Sequence, residues 1–209
     1  MQSDLSMVIW TGLDESGKDT YQDMDNSGTI DGSDRRVIGK ATPDFTVGWN
    51  NTLTYKNWDL NLFFNGAFGA DRLNLARFTM ASMVGDSRFI TLREAYTDNF
   101  DKVGQSAIYP GLKVAGNNYQ AVSTKWVEDA SYVRLENISL SYNLSKKVTK
   151  FADIRLTLSC QNLFTITGYK GMDPVGTTFS NDNVDVDAGI DMGAYPTPRT
   201  FTFGVRMNF

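Results

Sequence analysis

The stretch WDLNLFFNGAF, Trp58 to Phe68, decides how the rest of the chain is read. Its even positions are Trp58, Leu60, Leu62, Phe64, Gly66 and Phe68; its odd ones are Asp59, Asn61, Phe63, Asn65 and Ala67. Successive strand side chains point to opposite faces, so this alternation predicts a strand with one greasy and one mostly polar face. The run before it behaves likewise. Phe45, Val47, Trp49, Leu53 and Tyr55 share one face, and Asp44, Thr46, Asn50, Thr52 and Thr54 share the other. Only Lys56 and Asn57 separate the two runs, which predicts a tight antiparallel turn.

The pattern recurs three times downstream. Ile138, Leu140, Tyr142 and Leu144 alternate with Ser139, Ser141 and Asn143. Ile154, Leu156, Leu158, Cys160 and Phe164 alternate with Arg155, Thr157, Ser159 and Gln161. Phe201, Phe203, Val205, Met207 and Phe209 alternate with Thr200, Thr202, Gly204, Arg206 and Asn208. Strands of roughly 10 to 13 residues exceed the ~5–6 usual in soluble sheets and match the ~9–11 that cross a bilayer. The connections are asymmetric as well. The Lys56–Asn57 turn and the Ser145–Asp153 link are short, whereas Asp71 to Val127 and Thr165 to Pro198 are long excursions. Short turns on one rim and long loops on the other are the layout of an outer-membrane barrel, with Tyr55, Trp58 and Tyr142 at the height of an aromatic girdle. Five strands cannot close a barrel, which needs at least ~8, so they are expected to be part of a larger sheet. The competing reading is a soluble β-sandwich, calcium-stabilised and acting in adhesion or carbohydrate binding.

Composition narrows the function. The 209 residues include no histidine and one cysteine. Ser-His-Asp and Cys-His catalysis and His-containing zinc sites are therefore excluded within this chain. Carboxylates alone remain for chemistry, and the chain is not expected to be an enzyme. A net charge of −4 with scattered Lys and Arg argues against nucleic acid as a partner. The start, MQSDLSMVIW, lacks the basic and apolar regions of a signal peptide, and no window approaches the ~20 apolar residues of a membrane helix. Neither observation bears on a β-barrel.

One motif stands outside the strands. DMDNSGTIDGSD, residues 23 to 34, has the spacing of a calcium loop, with Gly28 at the sixth place for the sharp turn. The ligands would be Asp23, Asp25, Ser27, Thr29 through its carbonyl, Asp31 and Asp34, with Ile30 pointing inward. Asp34 at the twelfth place is shorter than the usual Glu, and Pro43 with alternation follows where a sensor would have a second helix. The expectation is a structural calcium ion; the bland reading is an Asx-rich turn without metal.

Four blocks together resemble the C-terminal portion of a SusC/RagA-type TonB-dependent outer-membrane transporter from the Bacteroidetes. They are residues 21–69, with Arg35, Ile38, Gly39 and Pro43 after the acidic loop; DASYVRLENISLSYNLS, 129–145; QNLFTITGYKGMDPVG, 161–176; and YPTPRTFTFGVRMNF, 195–209. Val175 departs from the pattern, which commonly has Glu after Asp-Pro. The resemblance implies an all-β chain, about five antiparallel strands of a barrel of about 22. Residues 1–42 would then be an extracellular loop region and 43–209 barrel strands and loops. It further implies import of a glycan, oligosaccharide or, less often, peptide across the outer membrane. The partners would be a SusD-like surface lipoprotein, membrane lipid, and TonB acting through a plug that these blocks do not cover.

Three smaller expectations follow. Asp173, Asp182, Asp185, Asp187 and Asp191 fall in a stretch without Lys or Arg, which reads first as a solvated surface loop and second as a ligand- or cation-facing one. Leu73, Leu75, Phe78, Met80 and Met83 hint at a short helix packed against the rim, read first as internal packing of the long loop and second as contact with a partner or lid. Asn61, Asn65, Arg155, Gln161 and Arg206 would face the lumen, where Arg134 and Glu136 would find partners, while Cys160 reads as a small hydrophobe on the apolar face.

Overall fold

The computed structural model describes residues 4–82, 92–111, 122–176 and 189–209. Two short antiparallel pairs open the chain. β1 (Asp4–Met7) pairs with β4 (Arg36–Lys40), and β2 (Trp10–Leu13) with β3 (Asp19–Tyr21). The long strands are β5 (Phe45–Tyr55), β6 (Trp58–Phe68), β9 (Tyr132–Leu144), β10 (Asp153–Thr167) and β12 (Thr200–Asn208). They form one five-stranded antiparallel sheet in the order β12-β10-β9-β6-β5, each strand beside its neighbour in sequence. Tyr55 faces Trp58 across the two-residue turn, where Lys56 takes a left-handed φ of 52°. The Ser145–Asp153 link holds the short helix α4 (Lys146–Thr149). Both connections lie on the same rim, and the long ones leave from the other.

Two strands are longer than periodicity alone suggests, because bulges interrupt it. In β9 the register against β6 shifts between Asn137 and Leu135, leaving Glu136 unopposed. One extra residue flips every later side chain to the other face. Apolar residues therefore sit at even numbers from Ile138 to Leu144 but at odd ones, Val133 and Leu135, beyond the bulge. In β10 the irregularity falls between Gln161 and Phe164, with Asn162 at φ 53°, a conformation asparagine tolerates. Gly66 marks a close approach here: a Cβ would sit 2.8 Å from the Tyr132 carbonyl oxygen, so β6 and β9 meet only because that side chain is absent.

The compact core lies in the loops, not on the sheet. β7 (Asp71–Asn74), β8 (Val127–Asp129) and β11 (Ile190–Asp191) make a small mixed sheet on the long-loop side. Helices α1 (Leu75–Ser82), α2 (Arg93–Thr97) and α3 (Phe100–Val103) accompany it. Leu5, Met7, Leu73, Ala81, Ala95, Tyr109 and Trp126 form one buried cluster, with Phe78 edge-on to Trp126 at 5.6 Å between ring centres. The expected helix is thus α1, packed into a core of its own; Leu73 belongs to β7, and Met83 lies outside the described residues. Lys125 and Asp19 tie the opening strands to this core through a 2.8 Å ion pair, 2% and 3% exposed. Lys125 Nζ also lies 5.0–5.6 Å from the ring centres of Trp10, Tyr109 and Trp126. Burial pulls the Lys125 ammonium down, and Asp19 opposes that shift. Among the described residues no helix is long and apolar enough to cross a membrane.

The sandwich alternative needs a second sheet over the greasy face. Among the described residues none covers it: Phe201, Phe203, Trp49 and Leu158 are 55–69% exposed.

Candidate functional site

The register sorts the sheet into two surfaces. On one, Val205, Leu156, Tyr142 and Trp58 form a row across four strands, and Phe203, Leu158, Leu140, Leu60 and Leu53 a row across five. Rings stack along it, Phe45 on Phe68 at 5.0 Å and Trp49 on Phe64 at 5.5 Å. Trp58 and Tyr142 touch at 4.5 Å beside the short-turn rim, at the girdle position. Buried Cys160 joins this surface between Ile138 and Phe201. The other surface is a hydrogen-bonded polar layer. Asn61 donates to Asn50 and Thr52, Asn143 donates to Asp59 at 2.9 Å, and the Ser141 and Thr157 hydroxyls meet at 3.0 Å. A sheet whose outer surface is apolar and open, with its inner surface polar, is stable where lipid replaces water.

At the long-loop rim the inner surface ends in a buried network. Arg134, on the polar side of β9, donates to Thr165 Oγ1 at 2.9 Å and pairs with Asp173 Oδ1 at 2.7 Å. Asp173 also accepts the Thr197 amide and hydroxyl, at 2.9 and 2.6 Å, and the Val175 amide at 2.9 Å. Asp191 is held similarly, by Tyr169 Oη at 2.6 Å and by the amides of Gly193 and Ala194. Arg72 fastens the same segment by donating to the Val175 and Gly176 carbonyls. The solvated-loop expectation is thereby corrected for two of its five acids: Asp173 and Asp191 are 4% and 2% exposed. Asp182, Asp185 and Asp187 lie outside the described residues. Arg134 therefore finds its charge partner on this loop and not among the lumen-facing groups Asn61, Asn65, Arg155, Gln161 and Arg206.

Burial alone would raise the Asp173 carboxyl, but the hydrogen bonds from Thr197, Val175 and Arg134 outweigh it and lower the pKa from 3.8 to about 2. A depressed folded pKa gives stability that is complete above the unfolded value and lost as pH falls towards the folded one. The loop is therefore expected to loosen as the pH drops from about 4 to about 2, losing about 2 kcal/mol. Amide exchange at Val175 and Thr197, followed across that range, checks this; exchange that stays flat would contradict it.

The acidic loop behaves as a turn built around its carboxylates. Asp23 accepts the Ser27 and Gly28 amides at 3.2 and 2.8 Å, and Asp25 accepts Ser27 at 3.0 Å. The Gly28 amide bond leads in holding the Asp23 pKa below its ordinary 3.8. Gly28 takes φ 81°, as the sharp turn requires. Asp34 is fully buried, accepting Met24 and Asp31 amides at 2.7 and 2.8 Å. Oxygens of Asp23, Asp25 and Asp34 lie within 4.8 Å of one another. Asp31 instead caps a 3₁₀ turn through the Ser33 amide at 2.7 Å, and Ser27 Oγ donates to the Thr29 carbonyl at 3.0 Å. Ile30 is exposed rather than turned inward.

Comparison with known proteins places this geometry. The chain is 36% identical to TonB-dependent receptor P3 of Formosa agariphila over 95% of its own length and 20% of that protein. The chain is homologous to a segment of the TonB-dependent receptors, SusC among them, and shares the fold of part of the RagAB importer. It is 28% identical to TonB-dependent receptor SusC of Bacteroides thetaiotaomicron, over 94% of this chain and 18% of that one. Among solved structures, the RagAB peptide importer in the "open-open" state superposes with a TM-score of 0.79 at 21% identity, covering 99% of this chain and 22% of that chain. The RagAB peptide transporter gives 0.79 at 22%, covering 99% and 23%. No protein-family model matches the chain. The chain thus spans about a fifth of the length of the receptors it matches.

Within this segment the sequence reading also missed the contacts of a buried arginine. Arg77 pairs with Glu128 at 2.8 Å and with Glu94, and donates to Tyr109 Oη at 2.7 Å. The available signal was Arg77 among the apolar Leu73, Leu75, Ala76 and Phe78; a cation buried there needs partners.

Proposed function

We propose that the chain supplies the C-terminal wall and outer rim of an outer-membrane nutrient importer. The carrying observation is the apolar surface continuous across five strands and open, backed by a polar layer. The relatives are TonB-dependent receptors, and two structural neighbours are a peptide importer and a peptide transporter. A SusD-like lipoprotein would close over the long-loop rim, and TonB would act from the opposite side on a plug in the lumen. The substrate would be a glycan, oligosaccharide or peptide, carried without chemical change. The test is uptake by outer-membrane vesicles or cells carrying the full-length receptor and its lipoprotein. Labelled oligosaccharide or peptide should accumulate, and collapse of the proton gradient should stop it. Recovery of the receptor in the soluble fraction would overturn the reading.

We also propose that the acidic loop holds a calcium ion. Calcium–oxygen bonds of 2.3–2.6 Å allow two ligands of one ion to lie up to ~5 Å apart, so the 4.8 Å spread of Asp23, Asp25 and Asp34 fits. Ser27 and the Thr29 carbonyl lie on the same turn, and Asp31 would have to leave its cap to join. The ion would stiffen the approach to β5. Calorimetry should show one calcium per receptor, abolished by Asp23→Ala. No heat of binding, with Asp23→Ala harmless, would remove the proposal.

A further inference from the structure

A cavity of about 400 Å³ lies between α1, α2 and residues 170–172 at the long-loop rim. Its walls are largely apolar, with Met80, Leu92 and Met172 among them, and thioether side chains adapt to ligands of varied shape. Asn74 lines its floor and is 1% exposed. The Asn74 side-chain oxygen accepts the Arg77 amide at 3.0 Å, while its Nδ2 has no partner among the described residues. A buried donor left unmatched favours a ligand that brings an acceptor.

Three cations line the cavity, Arg77, Arg93 and Lys170, against two carboxylates, Glu94 and Asp191. Both acids are already engaged, Glu94 by Arg77 and Tyr109, Asp191 by Tyr169 and the Gly193 and Ala194 amides. Arg77 is likewise committed to Glu94, Glu128 and Tyr109. Arg93 has no ion pair among the described residues, and Lys170, 52% exposed, stands 4.0 Å from Glu94. The free groups at the mouth are therefore cationic, and the free group at the floor is a donor.

We infer that this cavity takes the end of a peptide. An apolar side chain enters among Met80, Leu92 and Met172, the C-terminal carboxylate meets Arg93 and Lys170, and a peptide carbonyl meets Asn74. The inference rests on the importer reading and deepens it by naming a peptide as the solute carried. Charge complementarity selects the carboxylate, since a free guanidinium and a free ammonium at one mouth suit an anion. The apolar walls select against a sugar, whose hydroxyls would lose water there without gaining partners. Among the described residues no aromatic ring lines the cavity to stack on a sugar face. Its position agrees: Met172 adjoins Asp173, which the inner-surface Arg134 holds, so the cavity stands at the long-loop end of the polar surface.

The test uses the full-length receptor in detergent, isotope-labelled at the methionine methyl carbons. The Met80 and Met172 resonances are assigned from Met80→Leu and Met172→Leu. The probe is alanyl-alanyl-leucine, as the free acid and as the C-terminal amide. The free acid should shift both resonances in a saturable titration. The amide should bind about tenfold more weakly, as the loss of a charge-assisted hydrogen bond predicts. Arg93→Gln combined with Lys170→Gln should bring the acid down to the amide and leave the amide unchanged. Resonances that stay still at millimolar peptide would overturn the inference, as would acid and amide binding alike or a double variant that keeps their difference. A neutral hexose oligosaccharide or an oligouronate that shifts the two resonances at lower concentration than the peptide would assign the cavity to a glycan and also overturn it. The acid–amide comparison needs no variant, so it decides the matter even where the double variant fails to fold. Uptake and recovery from the membrane fraction are measured separately on the unmodified receptor, so failure here and failure of the importer reading are distinguishable.

Discussion

Asp173→Ala in the full-length receptor is expected to destabilise the long-loop rim by about 3–5 kcal/mol, because it leaves the buried Arg134 guanidinium without its counter-charge. Arg134 is 8% exposed along its side chain, and its remaining partners, the hydroxyls of Thr165 and Thr197 and the Tyr132 ring, are all neutral. Arg134→Ala should cost less, since Asp173 keeps the Thr197 and Val175 donors. The double change to apolar residues of similar size should cost less than Asp173→Ala alone, as buried pairs removed together often do. A double-mutant cycle read by amide exchange at Val175 and Thr197 checks the ordering. Additive single effects would show that the two groups do not act as a pair. In the proposed importer this loop would stand over the mouth, so loosening it is also expected to reduce uptake without displacing the strands.

Leu158→Arg is the second large effect. Leu158 lies mid-sheet on the apolar surface, between Leu140 and Phe203. If that surface meets lipid tails, an arginine there costs about 2–4 kcal/mol, falling to about 0–1 near an interface. Tyr55→Arg, at the short-turn rim, should therefore be nearly neutral. Ser159→Arg, one residue along and on the opposite surface, should also be mild. Urea unfolding in phospholipid vesicles, followed by tryptophan fluorescence, gives the comparison. Equal costs at positions 158 and 159 would mean that the two surfaces share one environment.

The sheet was legible because one apolar and one polar surface impose a period-two code along each strand, and that code held over Trp58–Phe68, Ile154–Leu158 and Phe201–Met207. It was lost where the backbone changes phase. Val133 and Leu135 belong to the same greasy surface as Ile138, yet the bulge at Glu136 puts them at odd numbers. Nothing in SYVRLENIS marks a bulge, which shows only in the register of β9 against β6. The acidic loop was legible as a local motif, and the convergence of Asp23, Asp25 and Asp34 follows its spacing. The capping role of Asp31 depends on a 3₁₀ turn that the ligand pattern does not encode. Asp173 and Asp191 were read as solvated because composition reports charge and not burial. Their partners, Arg134, Thr197 and Tyr169, lie 22 to 39 residues away. The Lys125–Asp19 pair spans 106 residues, so only the fold brings it together.

The most direct test of the account is a nitroxide scan of β10 and β12 in the receptor reconstituted in lipid vesicles. Labels at Leu156, Leu158, Phe203 and Val205 should be relaxed by oxygen, which concentrates in lipid, and shielded from a water-soluble nickel chelate. Labels at Thr157, Ser159, Thr202 and Arg206 should lack that oxygen signature. The two behaviours should exchange at every residue. Labels at Leu158 and Phe203 that are shielded from both reagents, or open to the nickel chelate, would place those side chains against protein or water and contradict a lipid-facing wall.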